Sequence, residues 1–151
     1  MSKKILSILF FTISFAFLHA QTDSLKPLVT TLDIKGTSYT VCQKFPEEII
    51  GEYLKGKKGF PMTLLNNDGT GYFQMTGKPN AIRFWIDCNE KGEVKKTWLF
   101  DGNFTVMVTF QYIDEAVRDV WGEYDRIEIK VAYDQGYAII HQERYHNIRK
   151  K

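Results

Sequence analysis

Residues 103–112 read NFTVMVTFQY, and the alternation in that stretch restricts the fold more than any other feature of the chain. Phe104, Val106, Val108, Phe110 and Tyr112 fall on one side, and Asn103, Thr105, Thr109 and Gln111 on the other, with Met107 the single apolar exception. A period of two belongs to a strand with one face in a core and the other in water. Residues 126–133 repeat it, with Ile127, Ile129, Val131 and Tyr133 inward and Arg126, Glu128 and Lys130 outward.

The rest of the chain supplies more strands and the turns between them. Residues 28–42 are rich in Val, Thr, Ile and Tyr and are broken once, at Lys35-Gly36, which predicts two strands about a tight turn. Residues 62–65 and 71–75 flank an Asn/Asp/Gly cluster, 81–87 and 93–100 flank residues 89–92, and 126–133 and 137–144 flank residues 134–136. Each connection carries the Gly, Asn or Asp that tight reversals demand. Residues 45–54 are ambiguous, and Gly51 favours a short turn running into a strand. Residues 114–122 carry helix marks, with Asp114 as cap, Glu115 in the first turn and Gly122 past the end. The expected fold class is all-β: an antiparallel meander barrel of about eight strands with one short helix, or alternatively a β-sandwich.

Residues 1–20 pair Lys3 and Lys4 with an apolar run ending at Ala20, the pattern of a secretory signal peptide. The run is shorter than the roughly 20 residues a membrane-spanning helix needs. Residues 21–151 are then expected to be one exported domain, periplasmic or extracellular. Lys3 and Lys4 are two of the chain's 20 basic residues, so the remainder balances the 18 acidic ones. A near-neutral domain is poorly suited to gripping a phosphate backbone, and no nucleic-acid partner is expected. Cys42 and Cys88 are the two cysteines. A disulfide between them would close a loop of about 45 residues and add roughly 4 kcal/mol by loop entropy; two buried thiols are the alternative.

Motifs for chemistry are sparse. LLNNDGTGYFQ, residues 64–74, resembles a calcium loop only superficially: with Gly69 or Gly71 as the sixth residue, the twelfth is Met75 or Gly77, neither an acid. It reads as a hairpin turn. His141 and His146 fall on opposite strand parities and make a thin zinc constellation. The acids Asp114, Glu115, Asp119, Glu123 and Asp125 read as a solvated loop, with a paired-acid hydrolase as the trailing alternative; no nucleophile-and-base motif occurs, which argues against an enzyme, and no cofactor is expected. Strand 81–88, AIRFWIDC, is apolar on both faces, which makes Arg83 and Trp85 either a covered pair or a contact surface for a protein partner.

The layout resembles the lipocalin-like, or calycin-type, secreted barrels: a leader, Gly51-Glu52-Tyr53 opening the first long strand, Gly-turned hairpins through Asp68-Gly69-Thr70-Gly71, and Arg144 near the last strand. Where that family carries Gly-x-Trp, this chain has Gly51-x-Tyr53. The resemblance implies an apolar cavity for a small hydrophobic ligand. Phe104, Val106, Val108, Phe110, Ile127, Ile129, Val131 and Ile139 are its expected lining, or simply core. Tyr112, Tyr133, Tyr137 and His141 are its expected polar positions. The other functional class is a packed domain acting on a protein partner through its surface.

Overall fold

The computed structural model describes residues 28–55, 61–74, 79–113, 121–140 and 142–147. The strands are β1 (Val29–Ile34), β2 (Thr37–Cys42), β3 (Gly51–Lys55), β4 (Pro61–Leu65), β5 (Thr70–Phe73), β6 (Asn80–Asp87), β7 (Thr97–Trp98), β8 (Phe104–Ile113), β9 (Trp121–Ala132), β10 (Tyr137–Ile140) and β11 (Glu143–Asn147). Two three-residue 3₁₀ turns, Phe100–Gly102 and Tyr133–Gln135, are the helical pieces among the described residues.

Hydrogen bonding runs in the order β6, β5, β4, β3, β11, β10, β9, β8 and then returns to β6, so eight antiparallel strands close a barrel. Closure removes the open edges that an all-β chain must otherwise protect. The β1–β2 hairpin and β7 lie outside the ring. β6 pairs with β8 from Ile82↔Tyr112 to Ile86↔Val108, and then the two part. The end of β6 takes β2 as its neighbour, and the start of β8 takes β7.

Turn chemistry explains the hairpins. Lys35 (φ 50) and Gly36 (φ 81) both adopt the left-handed conformation that matches the twist of β1 and β2. Asn89 Oδ1 accepts from the N–H groups of Lys91 (2.9 Å) and Glu93 (3.0 Å), nucleating the reversal after β6. The Asn/Asp/Gly cluster is a hairpin turn: Asn66 N–H donates to Thr70 O at 2.8 Å, and Asp68 Oδ1 accepts from the Thr70 N–H (2.9 Å) and hydroxyl (2.6 Å). Those bonds hold the Asp68 carboxyl below its ordinary value.

Inside the ring, Tyr53, Phe73, Phe84, Phe104, Phe110, Leu65, Ile82, Ile86, Ile129 and Ile140 are almost wholly inaccessible. Phe73 meets Phe110 edge-on with centroids 5.0 Å apart, and Phe45 lies 4.4 Å from Phe84. One end is closed by residues 45–50, which bury Phe45, Ile49 and Ile50. This cap is a hydrogen-bonded turn, Ile49 N–H to Pro46 O (3.1 Å) and Ile50 N–H to Glu47 O (3.3 Å), running into β3 as expected. Tyr53 fastens it from below, donating its hydroxyl to Ile49 O at 2.7 Å.

Several expectations need correction. Residues 93–100 are not one strand paired with 81–87: the strand there is Thr97–Trp98, and it pairs with β8. The outward side of β8 is not open to water: Thr109 and Gln111 are buried, because the side chains beyond them form a second layer. Arg126 donates to both oxygens of Asp87 (3.0 and 2.8 Å) and to Thr109 Oγ1 (2.9 Å), with its guanidinium 3.6 Å over Tyr39. Residues 137–144 are not one strand, since Gln142 (φ 65) reverses the chain between β10 and β11. Ile139 stands opposite the exposed Lys130 and therefore faces outward, while Ala138 and Ile140 point in. Of the expected helix, residues 114–120 lie outside the described residues, and Trp121 and Gly122 open β9 instead. The Gln111 side-chain amide donates to the Gly122 carbonyl at 2.8 Å, beside the register shift in the β8–β9 pairing.

Candidate functional site

The capped end of the barrel holds a cleft of about 350 Å³; a larger, shallower hollow of about 570 Å³ lies along β9 beside Ile139 and Gln142. The register brings five segments to the capped-end cleft. The cap supplies Glu47, Glu48 and Ile50, β3 supplies Tyr53, and the β4–β5 turn supplies Asn67. The end of β9 and the 3₁₀ turn after it supply Val131 and Tyr133, and Gly136, Tyr137 and Ala138 complete the wall. Its floor is apolar, made by Ile50, Val131 and Ala138, which belong to the buried core. Its rim is polar, with carboxylates, phenols and one amide.

The rim is also charged on both sides. Glu48 receives Lys96 Nζ at 3.2 Å, and Lys96 in turn lies 4.2 Å over the Phe104 ring. Arg144 stacks 4.2 Å over Tyr137, and His146 meets the same ring edge-on at 6.4 Å. Neither cation lines the cleft itself; each engages a residue that does, while Glu47 is exposed beside the opening. The lining carries no thiol, aliphatic hydroxyl or imidazole. Such a set can hold a small molecule by apolar contact below and hydrogen bonds above.

Beside the cleft is an exposed apolar group. Trp98 is 65% accessible, Leu99 47% and Phe100 90%, on the stretch leading from β7 into its 3₁₀ turn. The two 3₁₀ turns adjoin: a Cβ placed on Gly102 would lie 3.8 Å from Asp134 Oδ2. Tyr133, 42% accessible, therefore stands between this group and the cleft.

The residues expected to line a ligand cavity are placed as follows. Phe104, Val106, Val108, Phe110 and Ile129 come together in the packed interior, in contact with one another and not with the cleft. Tyr112 is half-buried towards the opposite end, where it meets Phe110 at 5.2 Å. Tyr133 and Tyr137 reach the cleft wall, and His141 lies outside the described residues. Glu47, Glu48, Ile50 and Asn67 were not among the sequence candidates. The signal for the first three is visible in hindsight: Phe45, Ile49 and Ile50 are too apolar for a surface turn and too few for a helix, which is the composition of a lid.

Arg83 and Trp85 sit on the outer face, away from the cleft. Arg83 lies 4.4 Å over Trp121 and 5.4 Å over Trp85, and donates through Nε to Gln111 Oε1 at 2.7 Å. Trp85 in turn meets Tyr124 edge-on at 5.8 Å. Cys42 and Cys88 are both fully buried, with no bond between their sulfurs in this structure.

Comparison of the chain with models of protein families, with curated proteins and with solved structures finds no match in any of the three.

Proposed function

We propose that this chain is an exported, non-catalytic barrel that binds a small molecule at its capped end, the molecule's apolar body on Ile50, Val131 and Ala138 and its polar end at the Tyr133, Tyr137 and Glu47 rim. The observation that carries this reading is the cleft of about 350 Å³. It falls within the size range of small-ligand pockets and joins a hydrophobic floor to a few convergent polar groups. The filled interior supports the same placement, because Phe73, Phe84, Phe104 and Phe110 occupy the space a central ligand would need. The resemblance to lipocalin-like barrels supports a ligand-carrying role, and the leader-like residues 1–20 support export.

Native mass spectrometry of the protein recovered from its own host tests the reading by looking for a co-purifying small molecule. In parallel, 1-anilinonaphthalene-8-sulfonate should bind saturably, and Tyr133→Ala and Tyr137→Ala should each weaken it about tenfold, the loss of roughly 1.4 kcal/mol of contact. Binding that ignores both substitutions, together with the absence of any adduct, ends the proposal.

A second reading is favoured by the exposed Trp98, Leu99 and Phe100, since aromatic side chains left in water beside a polar rim are common at protein contacts. On that reading the capped end meets a protein partner. Phe100→Ser should abolish the association and leave dye binding in the cleft intact.

A further inference from the structure

We infer that Cys42 and Cys88 are the two halves of an intrachain disulfide that staples the β1–β2 hairpin to the barrel. The pairing of β2 with β6 is short, consisting of Val41↔Asp87 and Cys42↔Ile86, extended by a bond from Cys88 N–H to Thr40 O at 3.1 Å. Because Cys42 faces Ile86, Cys88 stands two residues further along the facing chain, on the same side of the sheet. Both cysteines have 0% exposure and belong to the core. Cys88 interacts with Cys42 through its thiol, and Cys42 Sγ lies 3.9 Å from Gly92 O. Diagonal neighbours of this kind, about 7–8 Å apart, lie just beyond what a disulfide spans, so closure must draw the strands together by about 1 Å. β2, joined to β6 by so few pairs, can make that movement.

The same burial fixes when the bond can form. Exchange requires a thiolate at an accessible sulfur. In the folded chain burial foremost, then hydrogen bonding to Cys42 and its charge, pushes the Cys88 thiol up to about 12. Closure therefore belongs to folding, before the core shuts, with a disulfide of low molecular weight or of an oxidoreductase as oxidant. One cysteine thiolate attacks that disulfide, forming a mixed disulfide and releasing one thiolate of the oxidant. The second cysteine thiolate attacks the protein sulfur of the mixed disulfide, forming the Cys42–Cys88 bond and releasing the other thiolate. The oxidant gains two electrons, and both protein protons pass to the released thiols. Once the barrel closes, the bond is shielded from reductants by the same residues.

This inference is independent of the ligand reading, and refolding tests it. The full chain is unfolded and reduced in guanidinium, then refolded with or without oxidised glutathione, and scored by intact mass and by thiol titration in denaturant. With glutathione disulfide the product should be a monomer two hydrogens lighter with no titratable thiol. Without it, two thiols should remain, and in the folded state they should react with oxidised glutathione at least about a hundredfold more slowly than in the unfolded chain, following the scarcity of thiolate. Limited proteolysis supplies a readout that needs no variant, because the oxidised form should resist cleavage within residues 28–42 better than the reduced form. Glutathione adducts on both cysteines, disulfide-linked dimers, or two thiols surviving the oxidative refolding overturn the inference.

Discussion

Arg126 engages four residues or groups at once: both oxygens of Asp87, the Thr109 hydroxyl and the Tyr39 ring. A lysine reaches one of these as a point charge but cannot present the planar fork or stack on the phenol. Arg126→Lys should therefore lower unfolding free energy by about 2 kcal/mol, measured by urea titration. Two glycines make a sharper contrast. At Gly71 a Cβ would come within 2.0 Å of Leu64 O in the adjacent strand, so Gly71→Ala should cost about 3 kcal/mol by forcing β4 and β5 apart. At Gly36 nothing lies within 4 Å, and only the positive φ opposes a side chain; Gly36→Ala should cost about 1 kcal/mol. Equal midpoint shifts for the two would count against this register. Tyr72 and Tyr112 hold their phenol protons above the ordinary value of 10.0, Tyr72 through burial and then the Glu52 carboxylate, Tyr112 through burial and then Asp125. The unfolded chain releases those protons near pH 10.0 while the folded chain keeps them. Their contribution is whole below that pH and disappears as the pH climbs through the raised values. Denaturation midpoints should fall between about pH 9 and about pH 11, and the double variant Tyr72→Phe, Tyr112→Phe should flatten the fall.

At the scale of elements, the cap and β3 act as one unit because the Tyr53 hydroxyl reaches back to Ile49. Tyr53→Phe leaves that buried carbonyl short of a donor and should cost about 1–2 kcal/mol, with the earliest hydrogen exchange appearing in residues 45–50. The strands were legible wherever local rules act alone. Alternation in β8, the Lys35-Gly36 reversal and the Asn89 turn each declare themselves within a few residues, and the structure has them there. What was not legible depends on partners distant in the chain. Thr109 and Gln111 look like solvent positions until Arg126 and Arg83 are known to cross over them. Residues 137–144 look like one strand because Gln142 carries no mark of the left-handed conformation it adopts. The cleft was legible only through its tyrosines, since Glu47 and Glu48 become rim residues through the closure of the barrel and not through any motif.

For the molecule as a whole, the ring explains both the filled interior and the position of the cleft. Eight strands enclose a space about as wide as the side chains that fill it, and this chain fills it with phenylalanine and isoleucine. A hollow can persist where strands end and only a short lid covers them. Filling it from the β4–β5 turn, by Asn67→Trp, should remove small-molecule binding while leaving the unfolding free energy within about 0.5 kcal/mol of the original, as surface substitutions usually do; retention of full affinity would place the ligand elsewhere.

The ring is completed by β11 against β3, where Tyr145 meets Lys55, His146 meets Leu54 and Asn147 meets Tyr53. Every other ring pairing joins strands much nearer in sequence. During synthesis, then, the polypeptide carries seven barrel strands with two raw margins until residue 147 has emerged. Such a chain stays threadable, and vulnerable to self-association, for almost the whole time it is being made.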